Sequence, residues 1–495
     1  MRIDLPPRPM AQEAVTVALD RAALIELGRA FDGELIGPLS PSYDRQRRVW
    51  NGSIDRHPAL IARCESVSDV TAALRFGRRT DLPLAVRGGG HSFPGLSVCD
   101  GGLVLDLGPM KAISVDPNSG CVRAQAGVLL GELDAATQAH GLAVPLGAVS
   151  HTGVAGLTLG GGIGWLMRKH GLTIDHLRSV QVVSANGERV TASDFENPDL
   201  FWGVRGGGGN FGIVTEFEFQ LNAVGPIVLA GLLAWPLEHG AEVARFYRDW
   251  AADAPDELMT ALVFRRAPAI DLIPAELHGR PLVVVLCCWA GDLDRGERVL
   301  RPLRSFGSPV LDIVAPRPLV DQQSMLDASD PHGLWAYVKS CDLLELTDDV
   351  IDVALDHAER IVSPRSGVIF WQLGGAVARI GAGETAFGSR SSGHIVNITG
   401  ATDDAEGFEH ESGWARDYWS ALVPYQAGVY VNFLMDEGEG RVRQAYGADR
   451  FDRLTALKRR YDPGNVFSAQ PEHRARLTRW PPGRRAPYAP ATTPA

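Results

Sequence analysis

The feature that most constrains this chain is Leu84-Ala-Val-Arg-Gly-Gly-Gly-His-Ser92, an apolar run that stops at three consecutive glycines, a histidine and a serine. Glycines without Cβ atoms let a strand turn sharply and aim several backbone N–H groups at one point, the arrangement of a phosphate nest. A glycine turn alone is equally an ordinary surface turn. Two further clusters raise its weight: Gly160-Gly-Gly-Ile-Gly164 and Gly206-Gly-Gly-Gly-Asn-Phe-Gly212. Each sits between an apolar run and a different structural signal, so one extended phosphate-bearing ligand can engage several of them. Gly207-Gly-Gly-Asn-Phe-Gly212 matches the G-x-G-x-x-G of dinucleotide-binding folds in form only. That motif opens a helix, whereas Ile213-Val-Thr-Glu-Phe-Glu-Phe219 alternates at period two and reads as a half-buried strand.

The 495 residues, 45% of them hydrophobic, suffice for two domains. A net charge of -11 argues against nucleic acid or an anionic membrane as partner. The 55 glycines concentrate in the clusters, so their abundance is positional. Six cysteines, Cys64, Cys99, Cys121, Cys287, Cys288 and Cys341, show no metal-ligand spacing, and no metal is expected. No apolar run reaches the roughly 20 residues of a membrane span, and residues 1–30 lack a signal-peptide pattern. The expectation is a soluble cytoplasmic protein, monomer or homodimer.

Local signals predict an α+β first half. Helices are expected at Asp20 to Ala30 and, behind a Ser66/Asp69 capping box, from Val67 to Gly77; strands at Leu82–Val86, Leu103–Leu107 and Cys121–Ala126; and a helix from Leu130 to Gly141. Asn186-Gly187 marks a hairpin, and Trp165 to His170 one or two helical turns whose start suits an anion. From about Pro226 strands alternate with amphipathic helices around Val243–Trp250 and Val299–Leu303. Pro281–Trp289, Gly367–Ile380 and His394–Thr399 read as strands, the last two as a floor over a ligand. A helix is expected around Phe451–Arg460.

In chain order, Arg87-Gly-Gly-Gly-His-Ser92, the Gly147 to Gly164 segment, Arg168-Lys-His-Gly-Leu172, Gly209-Asn-Phe-Gly-Ile-Val214, Tyr430-Val-Asn432 and Tyr461-Asp-Pro-Gly-Asn465 resemble the FAD-linked oxidases of the vanillyl-alcohol-oxidase type, berberine-bridge-enzyme-like branch. The resemblance spans roughly residues 45 to 470. It implies a two-domain α+β fold: an FAD-binding domain at 40–222, an antiparallel-sheet substrate domain flanked by helices at 223–440, a return segment at 441–478 and an extended tail at 479–495. It implies FAD held by Val86, Arg87, Gly88, Gly89, Gly90, Ser92, Gly147, Val149, Gly153, Gly156, Gly161, Gly164, Ile213, Val214, Tyr430 and Asn432, with His91 joined covalently to the flavin. Relatives with a second, cysteinyl link carry cysteine where this chain has Val149, so single attachment is expected. Thr152 falls beside the flavin carbon that meets oxygen and leaves space for it.

Phe433 stands where the family often has a tyrosine base, and a phenyl ring accepts no proton. His394, Glu384 and Tyr418 are the remaining base candidates, each equally readable as a packing or surface residue. Gln372 and Asn397 are expected to orient substrate. The implied reaction is hydride transfer from a small organic substrate (an alcohol, sugar, amine or phenolic compound) to FAD, with O2 reduced to H2O2. A dehydrogenase with another acceptor, a flavin–oxygen monooxygenase and a non-catalytic flavin carrier are the alternatives.

Overall fold

The computed structural model describes residues 19–468. Strand Leu84–Arg87, which delivers the glycine triplet, is an edge of a four-stranded sheet. It runs parallel to Leu103–Asp106, which is parallel in turn to Leu60–Arg63; Glu34–Ile36 closes the far edge antiparallel. Parallel neighbours need a crossover, and helix Val67–Thr80 supplies it. Its capping box is formed as expected, Ser66 and Asp69 each accepting from the other's backbone N–H. The helix runs past Gly77 and ends at Asp81, whose φ of 55° is left-handed. Val70, Ala73 and Leu74 are buried against Leu84, Leu103 and Leu105, which fixes the height of the triplet.

A five-stranded antiparallel sheet follows, ordered Ile113–Asp116, Cys121–Gln125, Ile213–Gln220, Leu177–Val183, Arg189–Ser193. The Asn186-Gly187 hairpin joins its last two strands, with Gly187 at φ 84°. In Ile213–Gln220 burial alternates from Thr215 onward, the period read from the sequence.

The largest sheet has nine strands, with the path Leu311–Asp312, Ile227–Pro236, Pro281–Trp289, Leu258–Arg266, Gly367–Gln372, His394–Thr402, Trp335–Leu343, Gln426–Gly428, while Ala315–Pro318 also pairs with Ile227–Pro236. Every pairing in it is antiparallel. Leu258, Leu262 and Phe264 pack under helices Gly240–Ala252, Asp348–Glu359 and Phe408–Leu422. Met259, Ala261 and Val263 face the other way, joining Ile163, Trp165 and Tyr430. Both faces are covered, so residues on either side are mostly buried and no clean alternation of polar with apolar shows which face is which.

The chain then returns to the first half. Helix Ala448–Tyr461 packs on helix Pro198–Val204, where Leu457 lies so close to Gly203 that a Cβ there would come within 2.2 Å of it. Lys458 Nζ donates to Asn210 O at 2.9 Å and pairs with the buried Asp462 carboxylate at 2.6 Å.

Several local expectations are corrected. The strand expected over Gly367–Ile380 stops at Gln372, because Gly374 and Gly375 take φ of 92° and 53° and a short helix, Gly375–Arg379, follows. Helices Val154–Gly160 and Pro198–Val204 were not foreseen, the first because glycine-rich apolar sequence carries little helical signal. The expected 479–495 tail lies outside the described residues. No described helix is long and apolar enough to cross a membrane.

Candidate active site

The three glycine clusters converge on one cleft of about 390 Å³, lined by both halves of the chain. Gly88, Gly89, Gly90, His91 and Ser92 line it from the end of strand Leu84–Arg87. A Cβ on Gly89 would lie 2.5 Å from the backbone N of Gly153, and one on Gly153 would lie 2.5 Å from the N of Gly89. The two turns therefore touch backbone to backbone, which only glycine allows. Gly147, Val149, Thr152, Gly153 and Gly156 form the adjoining wall, ahead of and within helix Val154–Gly160; Ile213, Val214, Tyr430 and Asn432 also line the cleft. Among the described residues Gly156 meets no heavy atom within 4 Å on its side-chain side, and Gly209 meets one at 3.9 Å. Bare backbone thus faces open space, the shape a dinucleotide cofactor requires.

Three residues expected among the cofactor contacts do not line the cleft. Arg87 is buried behind it: its Nη2 meets Asp106 Oδ2 at 2.8 Å and its Nη1 donates to Gln46 O at 2.6 Å, so it braces the strand end below the triplet. Gly161 packs against Phe387 and Tyr430, and a Cβ on Gly164 would fall 1.9 Å from Leu146 O. These two permit close packing behind the wall. The anion-suited helix start is also corrected, since Met167–His170 points into the large sheet. There Arg168 Nε donates to Leu258 O at 2.8 Å, and Nη1 to Leu373 O.

His91 occupies the lip of the cleft. Its Nε2 lies 3.1 Å from His151 Nδ1 and 3.7 Å from Asp330 Oδ2, and its ring stacks on Trp50 at 4.7 Å between centroids. His332 meets both imidazoles edge to face or tilted. Burial first, then the neighbouring His151 and His332, push the His91 pKa down to about 3, so at neutral pH it is an uncharged imidazole. Asp330 is pushed the other way, up to about 7, by burial and the nearby Asp327, with Arg265 opposing. His91, His151 and Asp330 bring one ligand atom each within 4.8 Å of one another, a spacing that also suits a metal ion.

The base candidates are not brought to the cleft. His394 shares the face of Val396 and Ile398, which pack under the helices. Gln372 is on that face too: its Nε2 donates to Ala251 O at 2.7 Å and its Oε1 accepts from Thr260 Oγ1 at 2.6 Å. Tyr418 is buried within helix Phe408–Leu422, stacked on His357 at 4.6 Å. Glu384 Oε1 accepts from Gly381 N in a surface loop. Asn397 does line the cleft, with Thr399 beside it on the same strand.

Tyr430 OH accepts from Gly162 N at 3.0 Å and Asn432 Nδ2 at 2.9 Å, and burial pushes its pKa up to about 12. It is a protonated strut and not a base. Phe433 packs edge-on to Tyr430 and lines the cleft. Among the described lining residues Asp330 is the one carboxylate, and neither it nor Arg265, Trp371 or Thr399 was picked out from the sequence. Five cysteines are buried, Cys99 is partly so, and none lines the cleft.

A cleft walled by glycine backbone with a histidine at its lip has the form of a dinucleotide-binding site. Comparison with known proteins specifies which. A family described as FAD binding domain matches residues 58–193, and one described as berberine and berberine like matches residues 429–471. An FAD-linked oxidoreductase of Dictyostelium discoideum is 33% identical over 447 residues, covering 89% of this chain and 94% of that protein. The (R)-6-hydroxynicotine oxidase of Paenarthrobacter nicotinovorans is 30% identical over 452 residues, 88% of this chain and 96% of its own. The crystal structure of 6-hydroxy-D-nicotine oxidase from Arthrobacter nicotinovorans superposes with a TM-score of 0.79 at 28% identity, covering 89% of this chain and 97% of that one. The chain belongs to the berberine-bridge-enzyme-like branch of the vanillyl-alcohol-oxidase type FAD-linked oxidoreductases, and it is an FAD-dependent oxidoreductase.

Proposed function

We propose that the protein is an oxidase that carries FAD covalently on His91, takes hydride from a C–H bond of a small organic substrate and passes the electrons to O2, giving H2O2. The observation that carries this reading is His91 itself, an uncharged imidazole held at the lip of the glycine cradle with Nε2 tied to His151. An uncharged ring keeps a nitrogen lone pair for attachment, and the His151 contact leaves Nδ1 as the nitrogen to bear it. The nicotine and xylooligosaccharide oxidases among its relatives support the oxidase class, and the similar glucooligosaccharide oxidase of Acremonium strictum has a cysteinyl, histidyl FAD.

The residues present fit the cofactor. Backbone N–H groups of Gly88 to Ser92 would receive the pyrophosphate, helix Val154–Gly160 and strand Ile213–Gln220 would flank it, and Tyr430 with Asn432 would bound the ring. When bound, FAD supplies a two-electron acceptor for hydride that can be reoxidised by dioxygen. Val149 offers no thiol for a second link, and Thr152 keeps the wall low where oxygen would enter. Asn397 and Thr399 hold substrate from the sheet floor, while Phe93 and Phe433 exclude water. With Phe433 aprotic, Asp330 and His151 are the groups near the cofactor that can hold or release a proton, at the Nε2 edge of His91.

The test is attachment. After acid precipitation the wild type should keep its yellow colour, its mass should exceed the apoprotein by one FAD, and the flavin peptide should contain His91. His91→Ala should still bind FAD but release it to acid. Extractable flavin from the wild type, or a cysteinyl flavin peptide, overturns the reading. Substrate-driven bleaching without oxygen uptake would assign the electrons to another acceptor.

A further inference from the structure

The floor of the cleft is built from hydrogen-bond donors and a cation. Arg265, on strand Leu258–Arg266, is paired in register with Gly367, and Gly367 in turn with Thr399 of strand His394–Thr402. A Cβ on Gly367 would lie 3.0 Å from Arg265 Cβ, so glycine lets the Arg265 strand pack close beside it. The guanidinium gives Nε to Arg266 O at 3.2 Å and Nη2 to Pro364 O at 3.0 Å. Nη1 has no acceptor among the described residues, and none of their carboxylates forms an ion pair with it. Arg365, which also lines the cleft, is by contrast neutralised by Asp403 at 2.9 Å. Asp330, the one carboxylate among the described lining residues, makes no ion pair with Arg265.

A neighbouring pair on the floor repeats the polarity. Thr399 Oγ1 donates to Asn397 Oδ1 at 2.7 Å, which occupies the amide oxygen and turns Asn397 Nδ2 into the group available to a ligand. Trp371, 5% exposed, has no acceptor for its indole N–H among the described residues, and that N–H is closed off from the cleft. The free Nη1 edge and Asn397 Nδ2 thus offer donors and a positive charge to a ligand in the cleft that supplies acceptors. The walls above it, Phe93 and Phe433, are aromatic.

Resting on the oxidase reading above, we infer that the substrate is a planar aromatic compound bearing a carboxylate, which Arg265 anchors through its free Nη1 edge. A carboxylate is anionic at neutral pH, where a phenol or a sugar hydroxyl is not. Its oxygens accept from a guanidinium, and its ring lies against the aromatic walls.

The experiment titrates the holoenzyme with 4-hydroxybenzoate and with 4-hydroxybenzamide, reading the perturbation of the flavin absorption band to obtain each Kd. The acid should bind about 10- to 100-fold tighter than the amide, the range for one charge-assisted hydrogen bond. Arg265→Gln should abolish that preference with flavin content unchanged. Arg265→Lys should keep part of it, since the charge remains but the planar fork is lost. Equal Kd values for acid and amide in the wild type, or a preference surviving in Arg265→Gln, overturn the inference while leaving the oxidase reading intact. Absence of flavin from the purified protein would instead sink the oxidase reading first.

Discussion

Gly89 and Gly153 test whether the cofactor cleft is built as described. A Cβ on Gly89 would stand 2.5 Å from Gly153 N and 2.6 Å from Gly153 Cα, against 3.4–4 Å for ordinary contact, so one turn must retreat by close to 1 Å. Gly153 cannot retreat freely. It bridges Leu129, and its flanking residues are tied by Leu130 N to Thr152 O and by Val154 N to Val128 O, both at 2.9 Å. Neither obstacle is a flexible side chain, which places Gly89→Ala at the upper part of the overpacking range, about 1–3 kcal/mol. Gly156→Ala is the contrasting case: nothing lies within 4 Å of the new methyl, and in a helix alanine is favoured by about 0.5–1 kcal/mol. That methyl projects into the cleft, so it should weaken FAD binding while stabilising the apoprotein. Both changes belong in a His91→Ala background, where FAD can be stripped and fold and cofactor effects measured apart. Urea unfolding of the stripped proteins, followed by tryptophan fluorescence, and FAD titration of the folded ones give the two quantities. A Gly89→Ala apoprotein as stable as its parent would refute the backbone contact between the turns, and unimpaired FAD binding by Gly156→Ala would refute the placement of the cofactor.

Two further outcomes follow from the same cleft. Thr152→Leu should slow stopped-flow reoxidation of the reduced flavin by O2 and spare reduction by substrate, since the larger side chain fills the low wall; unchanged reoxidation places the oxygen path elsewhere. Asp330 holds its proton up to about pH 7 in the fold but only to about 3.8 when unfolded, so the folded state binds more protons in that window. Its contribution to stability is complete below pH 3.8 and is lost as pH rises to 7. Asp330→Asn should remove that decline, so that urea midpoints between pH 5 and 8 fall less steeply in the variant; parallel profiles for the two proteins refute the assignment.

By itself the sequence determined what depends on neighbours along the chain. The capping box at Ser66, the Asn186-Gly187 hairpin and the alternation in Ile213–Gln220 are local bargains between side chains and their own backbone, and they formed where the sequence puts them. The glycine clusters marked the walls of the cleft because a bare backbone is a chemical property legible in one dimension. What tertiary structure alone decided was which face of a doubly covered sheet each residue takes. Gly367–Gln372 and His394–Thr402 mix polar and apolar residues and are covered on both sides, so Gln372 and His394 read as well into the cleft as away from it, and a shift of one residue exchanges the faces. Packing under three helices sent those two outward and left Asn397 and Thr399 inside. Likewise His91 and His151, 60 residues apart, meet at 3.1 Å, and Asp330 joins them from a loop between strands of the other half. No periodicity encodes such a meeting, because it is fixed by where two sheets close on one another and not by any run of residues.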